Sequence, residues 1–227
     1  MTTEEQIIKS KHRVQKHGEV FTPSWMVQKM LDTPGVKEAC DNPTATFLEP
    51  SAGDGNFLTA ILERKLTAIT QHYDARNWKT KSLLALSSIY GIEFLADNLE
   101  VARSRMFLTY LDWYEQHLGE HLTSKSDLYR SAHYLIYKNI VRGNTLTKRH
   151  PETDKFIVLN EWKQDPNHPS LIQKVPFVFA ELFGEEVDKD NTVVEGQMSL
   201  FDWEDEEENS SEASPFVPIQ KVYTLGE

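Results

Sequence analysis

Up to about residue 180 the chain alternates short apolar runs with longer stretches of helical periodicity. Residues 45–49, Ala-Thr-Phe-Leu-Glu, form a run short enough for a buried strand. From Asn56 onward Phe57, Leu58, Ile61, Leu62 and Leu66 fall on one side of a helix. A second apolar run, 86–92, ends at Ile92 before Glu93, and a long helix follows from about Asp97 to Leu118 with Leu99, Ala102, Met106 and Trp113 as its stripe. Another helix is expected over 126–137, then strands at 139–142 and 156–159; segment 171–183 reads as a further strand or helix. Upstream, Thr22 is placed to cap a helix with Pro23 at its first position, carrying Trp25, Met26, Lys29 and Met30 to an end near Leu31. Strands alternating with helices predict parallel β-α-β units in a doubly wound sheet.

Charge divides the chain. Residues 181–227 hold 14 acidic and 2 basic residues (−12), whereas residues 1–180 hold 21 acidic and 22 basic (+1). The pattern of strands and helices fails after 180, and 184–214 is dominated by Glu, Asp, Asn and Ser, too polar to order itself by burial. The expected organisation is a basic arm (1–17, with Lys9, Lys11, His12, Arg13, Lys16 and His17), a domain over 18–180, and an acidic, largely disordered tail over 181–227. The near-neutral body is compatible with a nucleic-acid partner, although no large basic stripe is visible. One cysteine, Cys40, excludes an internal disulfide; with no apolar run of membrane-spanning length and no signal-peptide core, a reducing cytoplasm is expected. His117 and His121 are four apart on a helix, with no third ligand in the pattern, so no metal site is expected.

The strongest local signal is Leu48-Glu49-Pro50-Ser51-Ala52-Gly53-Asp54-Gly55-Asn56-Phe57-Leu58, between a strand and a helix. Gly53 and Gly55 permit a tight turn and close approach of backbone to a ligand, and the helix N-terminus offers amide donors. Glu49 is placed to accept hydrogen bonds from a cationic amino group. A Gly-x-Gly pair alone also serves as a simple turn. Glu93 ends the next strand, where an acid binds ribose hydroxyls in Rossmann-like sheets; the alternative is an acid at a helix start. Gly143-Asn144 follows the third strand at the same carboxyl edge.

Together these residues resemble the adenine-specific DNA methyltransferases, over roughly residues 14–163. Gly18-Glu19-Val20-Phe21-Thr22-Pro23 looks like the family's N-terminal cofactor motif, Leu48–Leu58 its principal cofactor loop, Gly91-Ile92-Glu93 its ribose-binding acid, and Ile140–Leu146 the next motif, with Asn144 in place of a more usual Asp. The order, Phe-Thr-Pro before the glycine loop, is that of the subgroup containing modification subunits of restriction systems and short phage- or mobile-element-borne methylases. The resemblance implies a Rossmann-like fold that binds S-adenosylmethionine through Phe21, Thr22, Pro23, Glu49, Pro50, Ala52, Gly53, Gly55, Phe57, Glu93 and Asn144. It also implies methyl transfer to the exocyclic amine of a flipped adenine in DNA, in the cytoplasm of a bacterial or phage-infected cell.

The family's Asn/Asp-Pro-Pro-aromatic loop is absent, since the chain has no Pro-Pro; at its expected place stands Leu159-Asn160-Glu161-Trp162. There Asn160 would orient the target amine and Trp162 would stack on the base; equally, both residues end a strand and pack. The sheet is short of the family's seven strands and no recognition domain fits, which points to a specificity subunit or second methyltransferase subunit, or to an inactive binding or regulatory subunit. Within the tail, Gln197-Met198-Ser199-Leu200-Phe201 resembles the peptide by which bacterial proteins dock on the replication sliding clamp, which implies Leu200 and Phe201 filling an apolar pocket and Gln197 fixing the register; equally, Leu200-Phe201-Asp202-Trp203 is an apolar island that folds back on the body.

Overall fold

The computed structural model describes residues 8–185, 187 and 213–226. Three short helices come first: α1 (Lys11–His17), α2 (Ser24–Leu31) and α3 (Val36–Cys40). The alternating part follows as β1 (Phe47–Glu49), α4 (Asn56–His72), α5 (Ala75–Ser87), β2 (Ile89–Glu93), α6 (Ala96–Leu118), α7 (Asp127–Asn139) and β3 (Ile140–Arg142). Strand β2 starts three residues later than its apolar run predicts, because Leu83–Leu86 complete the buried face of α5. Pro23 stands one position before α2 in extended conformation, and no side chain caps that helix; Thr22 instead gives its carbonyl to the Asn56 amide.

The chain is mixed α/β. Strands β1, β2 and β3 pair in parallel in the order 1-2-3, with Phe47 beside Ile89 and Gly91 beside Ile140. Stepping one strand at a time in one direction, right-handed crossovers put their helices on one face of the sheet. There Leu58, Ile61, Leu62, Ile89, Leu99, Ala102, Met106 and Ile140 join one apolar core. Burial drives this packing, at ~25 cal/mol per Å² of apolar surface.

The opposite face is covered differently from the doubly wound expectation. The run at 156–159 does not extend the parallel sheet. It leads into β4 (Val158–Gln164), which pairs antiparallel with β5 (Leu171–Val178) in a second sheet. No helix lies between β3 and β4, so the chain has no crossover to bring β4 in parallel beside β3. Instead Ile157, Leu159 and Phe179 pack on Tyr90 and Ile92 of the first sheet.

Part of the expected tail belongs to the fold. Strand β6 (Val217–Pro218) pairs with β5, and the 3-10 segment Ile219–Gly226 buries Ile219, Val222 and Leu225 in the main core. Two short 3-10 turns that meet at a kink at Lys221 present these residues three apart, a pattern that the neighbouring acidic run obscures at the level of composition. Gln197, Leu200 and Phe201 lie outside the described residues. In the basic arm, Arg13 of α1 pairs with Glu19 and Asp97. Among the described residues no helix is long and apolar enough to cross a membrane, and no group of three or more His, Cys, Asp or Glu is arranged to hold a metal ion.

Candidate functional site

Because β1, β2 and β3 are parallel, their carboxyl ends share one edge, and Glu49, Glu93 and Arg142 are the last residues of the three strands. The loop from Pro50 to Gly55 turns the chain from β1 into α4. Both of its glycines have positive φ, 56° at Gly53 and 90° at Gly55, a region unfavourable for other L-residues. The loop is closed onto β2 by two bonds: Ala52 N–H to the Ile92 carbonyl at 3.0 Å, and Gly53 N–H to Glu93 Oε2 at 2.7 Å. A Cβ added at Gly55 would stand 2.9 Å from Ala102 Cα, so this glycine lets α6 approach the loop.

The Phe21-Thr22-Pro23 segment, some thirty residues upstream, lies on this loop. A Cβ at Gly53 would stand 3.3 Å from the Phe21 ring, and Asn56 at the start of α4 donates to the Thr22 carbonyl at 3.0 Å. Pro23 leads into α2. Ala52 is buried, and Phe57 packs against the main core. Pro50 receives the Thr145 hydroxyl on its carbonyl, which ties the loop after β3 to the loop after β1. The structure therefore brings together Phe21, Thr22, Pro23, Pro50, Ala52, Gly53, Gly55 and Glu93.

Glu93 is 6% exposed. Its Oε1 accepts the Leu95 N–H at 2.9 Å, while its Oε2 takes Gly53. Burial pushes its carboxyl above the usual carboxylate range. Among the described residues Glu49 accepts only the Ser51 N–H, at 3.0 Å, and burial raises its carboxyl as well. Among the described residues no Lys, Arg or His forms an ion pair with either acid. Two desolvated carboxylates at one sheet edge, each with acceptor capacity left, fit a ligand that supplies donors: an amino cation and vicinal hydroxyls.

Asn144 has a local task. Its Oδ1 accepts the N–H groups of Leu146 (3.0 Å) and Thr147 (3.4 Å), forming its own turn, so only its amide nitrogen can address a ligand.

Asn160 and Trp162 are not part of this assembly, which corrects the expectation for them. Strand β4 starts where Ile157 meets Gly143 and Ile92, near the carboxyl edge, and runs toward the opposite end of the sheet. Trp162 Nε1 donates to Asn139 Oδ1 at 2.7 Å, just before β3 begins, and its ring meets Tyr134 edge-on. Asn139 in turn donates to the carbonyls of Leu86, Ser87 and Ile89 at the amino end of β2. Asn160 is buried, and its carbonyl accepts the Tyr90 hydroxyl at 2.7 Å. Both residues hold the second sheet on the first.

One layer of the site was not anticipated. Asn98 of α6 donates to Glu19 Oε1 at 2.7 Å and reaches Glu93 Oε1 at 3.5 Å. Glu19 is 9% exposed and lies in a bidentate pair with Arg13, which keeps its carboxyl below the usual range. Lys9 bonds Asp97 and Asn98 and stands 5.9 Å over the Phe21 ring. Glu19 adjoins the Phe-Thr-Pro segment in sequence, but the pattern gives no sign that Asn98 would link it to Glu93.

Compared with known proteins, the chain matches no family model, no curated protein and no solved structure.

Proposed function

We propose that the chain binds S-adenosylmethionine at the carboxyl edge of the β1–β3 sheet, in a truncated Rossmann-like methyltransferase fold, and serves methylation of the adenine amine in DNA. One observation carries this reading: Phe21-Thr22-Pro23, the Gly53–Gly55 loop and Glu93, far apart in sequence, meet at one sheet edge. Glu93 would hold the ribose hydroxyls and Glu49 the methionine ammonium, with the loop amides and the start of α4 receiving the methionine carboxylate. Phe21, Thr22 and Pro23 would close over the methionine portion, and the Asn144 amide nitrogen would face the adenine. When bound, the cofactor supplies a methyl group on a sulfonium; the protein's part is to orient it and exclude water.

The acceptor side is less complete. An adenine amine needs oxygens to receive its two hydrogens and a flat face against the base. Of the residues expected in those roles, Trp162 donates to Asn139 just before β3, and Asn160 is buried with its carbonyl taking the Tyr90 hydroxyl. That placement favours a second reading, in which this chain is the cofactor-holding or regulatory subunit and a partner brings the acceptor groups.

Two measurements separate the readings. Calorimetry should detect S-adenosylmethionine binding that Gly53→Trp abolishes; unchanged binding in that variant refutes the assigned loop. Mass spectrometry of genomic DNA from a methylation-deficient bacterial host expressing the chain then tests catalysis. Methylated adenine would establish an enzyme acting alone, and its absence with binding intact would establish the subunit reading. Clamp docking is a separate proposal: replacing Gln197, Leu200 and Phe201 by Ala together should abolish capture on an immobilised bacterial sliding clamp, and undiminished capture refutes it.

A further inference from the structure

The basic arm has two sides with different chemistry. Arg13 and Lys9 face the body, where Glu19, Asp97 and Asn98 receive them. Lys11, His12 and Lys16 are exposed, and among the described residues none of them pairs with an acid. Three cations near the sheet edge are paired with acids: Arg105 with Asp54, Arg142 with Glu152, Lys148 with Glu185. Lys29 of α2 and Lys155 are exposed singly, whereas α1 gathers Lys11, His12 and Lys16 on seven residues.

A helix of seven residues does not persist in water by its own propensity. Here it is held by a Ser10 cap, by Gly18 at its other end and by the Arg13 and Lys9 pairs. Those pairs fasten it to Glu19 and to the first turn of α6, and so, through Asn98, to Glu93. A face of this kind is held at a fixed position relative to the cofactor loop, with its cations pointing outward. Lys11 and Lys16 are ~7.5 Å apart in helix rise and turned by about 140°, so they border the exposed face of α1 from its two sides, with His12 between them.

We infer that α1 is a docking surface for the phosphate backbone of duplex DNA, with Lys11 and Lys16 neutralising phosphates and His12 adding a ring N–H donor. The inference rests on the DNA-directed reading above and names the surface that would set the duplex against the site. Its opposite charge partner follows from the chemistry of the exposed side chains. Its position follows from the inward clasp.

The test uses the full chain and a fluorescently labelled duplex of about 20 base pairs, with anisotropy measured over a range of salt. Each phosphate contact contributes about 0.9 to the slope of log K against log[salt]. Lys11→Gln with Lys16→Gln should therefore reduce the slope by about 1.8, and the two Lys→Glu changes by at least as much. Lys37→Gln with Lys125→Gln, exposed cations on other segments, should leave the slope unchanged. An unaltered slope in the α1 variants, or an equal fall in the Lys37/Lys125 control, overturns the assignment. Tighter binding of single-stranded RNA, with the same slope loss, overturns the choice of duplex DNA. Calorimetry with S-adenosylmethionine separates the two claims, because these side chains do not touch the loop. A wild type that binds no cofactor but shows the slope change refutes the proposed function and leaves the surface standing. Cofactor binding with an unchanged slope does the reverse.

Discussion

Gly55→Ala tests the geometry of the glycine loop most directly. The native backbone at Gly55 has φ 90° and ψ 21°, beyond the small left-handed basin that other residues tolerate. Forcing an L-residue into that region costs about 1–2 kcal/mol. The added methyl would also stand 2.9 Å from Ala102 Cα and 3.0 Å from Ala102 Cβ. These are atoms of a helix wall, not the end of a flexible side chain, so relief requires α6 to move away from the loop. Overpacking of this kind costs typically ~1–3 kcal/mol, giving about 2–5 kcal/mol in all against a domain stability of roughly 5–15 kcal/mol. Gly119→Ala is the matched control. Its φ is 67°, also left-handed, but nothing lies within 4 Å of the added methyl, so only the backbone cost of about 1 kcal/mol applies. Urea denaturation of both variants reads the difference as a shift of midpoint at constant slope. If Gly55→Ala unfolds no more easily than Gly119→Ala, the close approach of loop and α6 is not real, and the assembled loop loses its support.

Three further perturbations probe the surroundings. Glu93→Gln sets an amide N–H₂ against the N–H of Gly53 or Leu95, a mismatch worth about 1–3 kcal/mol, and should weaken S-adenosylmethionine binding at least tenfold; wild-type affinity by calorimetry removes Glu93 from the site. Arg13→Ala leaves Glu19 buried without its cation, at a cost between that of exposed and fully buried pairs, about 1–3 kcal/mol, and should speed amide exchange across residues 11–17 while the β2 amides stay protected; protection unchanged in α1 refutes the clasp. Lys65 is fully buried, its ammonium donating to the Pro43 and Ala45 carbonyls and the Ser88 hydroxyl, and burial pushes it down to about 7. Between that value and the ordinary 10.5 the unfolded chain binds the extra proton, so stability should rise as pH rises from 7 to 9.5; Lys65→Met should abolish the rise, and an identical rise in the variant refutes this origin.

What the sequence disclosed, and what it hid, follows from the range of the interactions involved. The glycine loop, β1, β2, β3 and the long helix were legible because each is specified within a window of about twenty residues, by apolar period and by the turn residues between periods. The meeting of Phe21 with Gly53 was legible only through resemblance, since nothing local in Phe-Thr-Pro says what it will cover. The placement of Asn160 and Trp162 failed for a different reason. Their run, Phe156–Leu159, has the composition of a buried strand, and a strand is buried equally well beside β3 or flat on the sheet's free face. The choice was made elsewhere: by the absence of a helix between Arg142 and Val158, by Gly143, where a Cβ would run into Ile157, and by the short return to β5. Each of these favours a reversal over a crossover. Running from Ile157 beside Gly143 to Trp162 beside Asn139, β4 carries its residues away from the carboxyl edge, and Asn160 is buried on the way with its carbonyl on the Tyr90 hydroxyl. The same hairpin explains the end of the chain, because β5 has an edge for β6, and β6 delivers Ile219, Val222 and Leu225 to the core. The chain therefore commits the sheet face that a doubly wound fold would cover with further helices to a hairpin and its own C-terminal segment. That commitment is the physical reason why the Phe-Thr-Pro segment, the glycine loop and Glu93 assemble here without Asn160 and Trp162, which follow them in the sequence.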